Sequence, residues 1–192
     1  IALIFESDSF TFEELWKLVE ISSISISSLN TKNVISLMSE NSASFVISYL
    51  GIINSGKIPH LIPPEISETN LLAQITSSDS STIICSKNIY HKIVKYNSIK
   101  IPIFQFDKIL KNIDNSTIDS KSNDMAYLIY TSGTTSIPKG VGITHFMVDF
   151  TTNNIIKILK YTNSDIDVLP LPLHHSFGLG CLHTSLCVGS TL

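Results

Sequence analysis

Short apolar runs of strand length recur between segments of helical period along this chain, and that alternation restricts it to the α/β class. Residues 34–38, 58–62, 82–85 and 125–130 each read as buried strands, the last enriched in aromatics. Between the first two, residues 43–55 carry an amphipathic helical pattern closed by Gly56, which makes one βαβ unit. Pro63 and Pro64 end that unit, and Leu71, Leu72 and Ile75 mark a further helix before the third strand. Near the start, Thr11 and Glu14 form a capping box, with Phe10 and Leu15 placed as its hydrophobic staple. The pattern predicts a helix over residues 12–21 with Leu15, Trp16, Leu18 and Val19 facing the core. The Ser and Ile alternation over residues 21–28 fits either a strand or a serine-rich loop. With 43% hydrophobic and 15% charged residues, the chain can bury a core. The expected fold is therefore layered, mostly parallel sheet flanked by helices.

The fourth strand runs into Thr131, Ser132, Gly133, Thr134, Thr135, Ser136, Ile137, Pro138, Lys139 and Gly140. Clustered hydroxyls, small residues that let main-chain N–H groups approach, and one lysine with no acid beside it describe a phosphate-holding loop. Gly133 to Lys139 has the spacing of a Walker-type loop. However, Pro138 stands where that motif has its second glycine, and Gly140 follows the lysine in place of Ser or Thr. After the loop, Thr144 is placed to cap a helix through Phe146, Phe150, Ile155, Ile156 and Leu159. Residues 112–123, rich in Asn, Ser and Asp, read as a surface connection leading to the fourth strand.

Read as Y-L-I-Y-T-S-G-T-T-S-I-P-K-G-V, residues 127–141 resemble the AMP-binding signature of the adenylate-forming superfamily: acyl-CoA synthetases, luciferases and non-ribosomal adenylation domains. The segment L-P-L-P-L-H-H-S-F-G at residues 169–178 is similar to the next motif of that family. T-F-E-E-L at residues 11–15 and the stretch 41–64 are similar to earlier ones. Two features depart from the pattern or extend it. Ser136 stands where the family usually has a second glycine; if the loop needs positive φ there, a side chain costs about 1–2 kcal/mol. In addition, family members are much longer, so the resemblance implies a partial N-terminal AMP-binding domain over residues 1–192. The C-terminal remainder and the small C-terminal domain would then be absent.

The resemblance implies ATP-dependent activation of a carboxylic acid to an acyl-adenylate, followed by thioester formation with coenzyme A. ATP, Mg2+ and coenzyme A are the implied cofactors. Thr131, Ser132, Gly133, Thr134, Thr135, Ser136, Lys139 and Gly140 would hold the nucleotide. His175, Phe177 and Gly178 would meet the acyl substrate, and Lys139 and His175 would carry the catalytic roles. A carrier-protein or non-ribosomal adenylating enzyme is the alternative within the family, and a catalytically silent nucleotide-binding module the alternative outside it. This piece alone is not expected to turn over.

A net charge of −3 and the absence of arginine argue against a nucleic-acid partner. No apolar run is long enough to span a bilayer, and no signal peptide is recognisable. Cys85, Cys181 and Cys187 form no paired framework and suit a reducing, cytoplasmic setting. The spacing of Cys181, His183 and Cys187, with His174 and His175, matches no common zinc pattern, so no metal site is assigned. His60, His91 and His145 are assigned structural roles. Residues 188–192 read as a beginning strand, which a cut there would leave unpaired.

Overall fold

The computed structural model describes residues 1–29, 31–110, 123–131 and 138–192. In chain order it has the hairpin β1 (Leu3–Phe5) and β2 (Asp8–Phe10), then α1 (Phe12–Ser28), β3 (Val34–Met38), α2 (Ala43–Asn54) and β4 (Ile58–Ile62). There follow α3 (Glu68–Ser77), β5 (Ile83–Cys85), α4 (Lys87–Ile93), β6 (Ile103–Gln105) and α5 (Phe106–Ile109). The remaining elements are β7 (Met125–Thr131), β8 (Lys139–Thr144), α6 (His145–Leu159) and α7 (Ser176–Val188).

Among the described residues, six strands form one sheet in the order β6-β5-β3-β4-β7-β8. All neighbours pair in parallel except β7 and β8, which are antiparallel. Side chains of a strand alternate between the two faces of a sheet, and both faces here are apolar. Ile35, Leu37 and Leu61 pack with Leu15, Val19, Phe45, Tyr49 and Ile52 of α1 and α2. On the other face Met38, Ile62 and Ile83 pack with Leu71, Ile75, Ile89 and Ile93 of α3 and α4. A sheet covered on both faces is where parallel strands are stable.

Local chemistry sets the element ends. The Thr11 side chain accepts from the Glu14 N–H at 3.2 Å while the Glu14 carboxylate accepts from the Thr11 N–H at 2.8 Å, closing the expected capping box. The Thr11 N–H, and then the Thr11 hydroxyl, donating to the Glu14 carboxylate lower its pKa from the usual carboxylate value. Ser42 and Thr144 cap α2 and α6 in the same manner. Gly56, at φ 74, closes α2 in a conformation that a side chain would resist.

Three expectations need correction. α1 does not stop at residue 21 but continues through the serine-rich stretch to Ser28, with Ser22, Ser23 and Ser25 buried. The cause is close helix packing: a Cβ on Gly51 of α2 would lie 2.4 Å from the Ser22 Oγ, so only small residues fit that crossing. Trp16 is 51% exposed, because the buried stripe of α1 runs through Leu15, Val19, Ser22 and Ile26. Thr144 caps α6 as expected, and the residues before it return as β8, antiparallel to β7. Residues 188–192 are not left unpaired. Leu192 donates to the Ala2 carbonyl and accepts from the Ile4 N–H, and Thr191 bridges Ile166. Of the polar stretch 112–123, only Asn123 lies among the described residues, and its side chain accepts from the Met125 N–H at 3.1 Å.

Candidate functional site

β7 lies between β4 and β8, and its C-terminal end meets the start of β8 in register: Thr131 faces Lys139 and Tyr130 faces Gly140. The sheet thus holds the two ends of the phosphate-loop motif one strand spacing apart. Ser132, Gly133, Thr134, Thr135, Ser136 and Ile137 lie outside the described residues. Thr131 and Lys139 are both exposed. Among the described residues the ion pairs are Lys17–Glu13 and Lys32–Asp79, so the Lys139 ammonium is left without a carboxylate. A cation at a hairpin mouth with no acid against it fits an anionic ligand.

A cleft of about 340 Å³ opens beside this hairpin end, lined by Thr131 and Pro138, by Tyr130 and Gln74, and by Glu65 and His175 among others. His175 reaches it from a distant part of the chain, and Asn41 is what places it. The Asn41 amide donates to the Leu171 carbonyl and accepts from the Leu173 N–H, both at 2.8 Å, which clamps the segment leading to α7. His175 is the N-cap residue of α7, yet its side chain makes no capping bond and is exposed. It is therefore available to a ligand. Its neighbour His174 differs: burial first, then the adjacent His175 ring 4.5 Å away, push its pKa down to about 4, with Glu65 opposing. His174 is a neutral, partly buried spacer.

Phe177 is not brought to that cleft. It is 73% exposed and forms one wall of a second cleft, about 450 Å³, between α6 and α7. The other walls include Ile155, Leu159, Cys181 and Thr151. Asp167, near this cleft, is occupied by hydrogen bonds from the Tyr161 and Ser185 hydroxyls. Gly178 faces inward, where a Cβ would lie 2.3 Å from the Pro172 carbonyl oxygen, so its missing side chain makes room for backbone. Gly140 similarly makes room for the Tyr130 ring, with Cζ 3.0 Å from the position a Cβ would take.

Behind the site, Tyr49 of α2 hydrogen-bonds to His183 of α7 at 2.9 Å, and both rings pack against Tyr127 of β7. Burial, then His145, lowers the His183 pKa to about 4. His183 is thus a neutral core residue joining α2, α7 and the loop-bearing strand. Among the described residues, no group of three or more His, Cys, Asp or Glu side chains is arranged to hold a metal. No described helix is long and apolar enough to cross a membrane.

Sequence reasoning named neither Asn41 nor Gln74 as site residues. The signal for Gln74 was present, since it occupies the buried stripe of α3 between Leu71 and Ile75, where an amide has no packing reason to be. Nothing in the sequence distinguished Asn41, whose partners are 128 to 132 positions away.

Comparison with known proteins adds an independent line. The family model described as "AMP-binding enzyme" matches residues 1–192. Gramicidin S synthase 1 of Brevibacillus brevis is 29% identical over 150 residues, 76% of this chain and 14% of that protein. The oxalate–CoA ligase of Arabidopsis thaliana is 28% identical over 171 residues, 81% of this chain and 33% of that one. Among solved structures, O-succinylbenzoate coenzyme A synthetase from Bacillus subtilis, in complex with ATP and magnesium ion, superimposes with a TM-score of 0.84 at 26% identity. That alignment covers 99% of this chain and 52% of the synthetase, so the chain spans about half of that structure and less of the other two proteins.

Proposed function

We propose that this chain, which belongs to the AMP-binding enzyme family, is the N-terminal, nucleotide- and acid-binding part of an enzyme that activates a carboxylic acid and transfers it to a thiol. The observation that carries the reading is the meeting of Thr131 and Pro138, from the two ends of the loop motif, with His175 at one cleft, with Lys139 paired in register to Thr131 at its edge. The B. subtilis synthetase with ATP and magnesium ion supports the same ligands for this site.

The chemistry follows from the carboxylate's poor leaving group. A carboxylate oxygen attacks the α-phosphorus of ATP, forming an acyl–phosphate bond and expelling pyrophosphate. A thiolate then attacks the acyl carbonyl, forming a thioester and expelling AMP. Lys139 sets its charge against the β- and γ-phosphates and stabilises the charge that shifts onto pyrophosphate. The Thr131 hydroxyl donates at the same place, and the family resemblance assigns the same phosphates to Ser132, Gly133, Thr134, Thr135 and Ser136, which lie outside the described residues. Gly140 keeps the strand close to Tyr130. His175 offers a ring N–H to the carboxylate or to the adenylate's carbonyl oxygen, and Gly178 lets α7 approach close enough to present it. Magnesium bound with the triphosphate would supply further positive charge.

The acid's hydrocarbon part fits the second cleft, where Phe177 is a wall. Its lining side chains are uncharged and mostly apolar, and the nearby Asp167 carboxylate is already occupied by the Tyr161 and Ser185 hydroxyls. That favours an apolar monocarboxylic acid over an amino acid, and coenzyme A over a peptidyl-carrier thiol. Buried Cys85, its thiol pushed up to about 12 chiefly by desolvation, is unreactive and consistent with a cytoplasmic protein. The test is thioester formation by the full gene product carrying residues 1–192, given MgATP, coenzyme A and a panel of acids. Apolar monocarboxylates should be consumed; turnover of amino acids alone would overturn the assignment of the acid.

A further inference from the structure

Two glycines lie within α7, and packing explains only the first of them. A Cβ on Gly178 would strike the Pro172 carbonyl oxygen, so that glycine makes room for backbone. Around Gly180, by contrast, nothing lies within 4 Å of the position a Cβ would take. Its φ is not in the left-handed region either, unlike that of Gly189 at the end of the helix, at φ 79. A glycine inside a helix weakens it relative to alanine. Neither close packing nor backbone conformation therefore gives Gly180 a reason to lack a side chain.

Its place along the helix does. Phe177, Gly180 and Thr184 follow one another at helical spacing on one face of α7 and line the cleft of about 450 Å³, together with Ile155 and Leu159 of α6. Two of the hydroxyls on this lining are already engaged: that of Thr184 donates to the Gly180 carbonyl at 2.7 Å, and that of Tyr161 donates to Asp167. The cleft thus offers mainly apolar contour, and the missing side chain of Gly180 leaves it open partway along α7. At the rise of an α-helix, Gly180 stands about 7 Å along the axis from His175, and Thr184 about 13 Å. An acid whose carboxylate is held at His175 reaches Gly180 only with a tail of several carbons.

We propose that Gly180 is a specificity-determining residue of this cleft. Its missing side chain admits the tail of the acid beyond the first turn of α7, so the acid is an extended, fatty-acid-like monocarboxylate rather than a short one. This rests on the reading of the cleft as the place of the acid's hydrocarbon part. The helix gives up stability at Gly180 in exchange for room.

Thioester formation by the full gene product carrying residues 1–192, given MgATP and coenzyme A, tests the proposal with butyrate and octanoate as paired probes. The wild type should prefer octanoate. Gly180→Leu should lower the octanoate-to-butyrate ratio of kcat/KM by about tenfold or more, chiefly through the KM for octanoate, and Gly180→Ala by about threefold in the same direction. Calorimetry should find the same MgATP affinity in all three proteins, and Gly180→Ala should melt at a higher temperature than the wild type. A glycine with a merely structural role would leave the ratio where it was. If Gly180→Leu does not fold, Gly180→Ala decides alone. An unmoved ratio, a melting temperature lowered by Gly180→Ala, or a wild type without preference for octanoate sinks this inference and leaves acid activation standing. A wild type that forms no thioester from any acid sinks the proposed function and this inference with it.

Discussion

Tyr130 lays its ring across Gly140, its antiparallel partner, so closely that a Cβ there would lie 3.0 Å from the Tyr130 Cζ and 3.2 Å from its hydroxyl oxygen. The same ring also packs against His60, with ring centroids 5.0 Å apart. The residue after Lys139 and the residue before Thr131 are thereby locked together at the mouth of the loop.

Gly140→Ala should therefore move the Tyr130 ring and with it the start of the loop. The expected result is MgATP affinity weakened by on the order of tenfold with little loss of global stability, since Gly140 is exposed. Titration calorimetry alongside thermal melting checks both parts.

Two glycines of α7 should respond oppositely to the same change. At Gly178 a methyl meets the Pro172 carbonyl oxygen at 2.3 Å, and backbone cannot step aside cheaply, so Gly178→Ala should destabilise by about 1–3 kcal/mol. At Gly180 nothing lies within 4 Å, and removing a mid-helix glycine should stabilise by about 0.5–1 kcal/mol. Urea unfolding of the two variants at pH 7.5 compares them directly.

How far the sequence discloses this molecule can be judged element by element. The strands at Val34–Met38 and Ile58–Ile62 and the helix Ala43–Asn54 were legible because each has a strong apolar period and a capping or closing residue. Residues 21–28 were not, because their helix is held by a close crossing at Gly51 that no local pattern reports. β8 was missed for a related reason. Lys139 to Thr144 carries two glycines and little burial, and only pairing with β7 makes it a strand. At the site, Lys139, Thr131 and His175 were legible as motif residues. Gln74 was marked only by being an amide in the apolar stripe of α3, and Asn41 not at all, since its partners stand opposite it in space rather than in sequence.

Acid should destabilise the fold through its buried histidines. His60 and His183 have pKa values near 4 in the folded protein against 6.5 unfolded, so between those values the unfolded chain binds more protons. Their stability contribution is complete above pH 6.5 and declines as pH falls toward 4. Each should cost about 2 kcal/mol between pH 7.5 and pH 5. Urea unfolding across that range should reveal the slope, and a curve flat from pH 7.5 to 5 would mean that these rings are not buried neutral.

Asn41→Ala should release the segment that carries His175. Three hydrogen bonds link Asn41 to Leu169, Leu171 and Leu173, and losing them should cost about 1–3 kcal/mol while lowering thioester formation more than MgATP binding. Comparing turnover and nucleotide affinity in the same variant separates the two effects.

The most direct test of the central claim is acid-dependent exchange of labelled pyrophosphate into ATP by the full gene product, beside its Lys139→Ala variant. Exchange should require a carboxylic acid and fall by about a hundredfold or more when Lys139 is replaced. Exchange that survives the replacement would contradict the role given to Lys139, and MgATP binding with no exchange for any acid would leave a nucleotide-binding module without the chemistry.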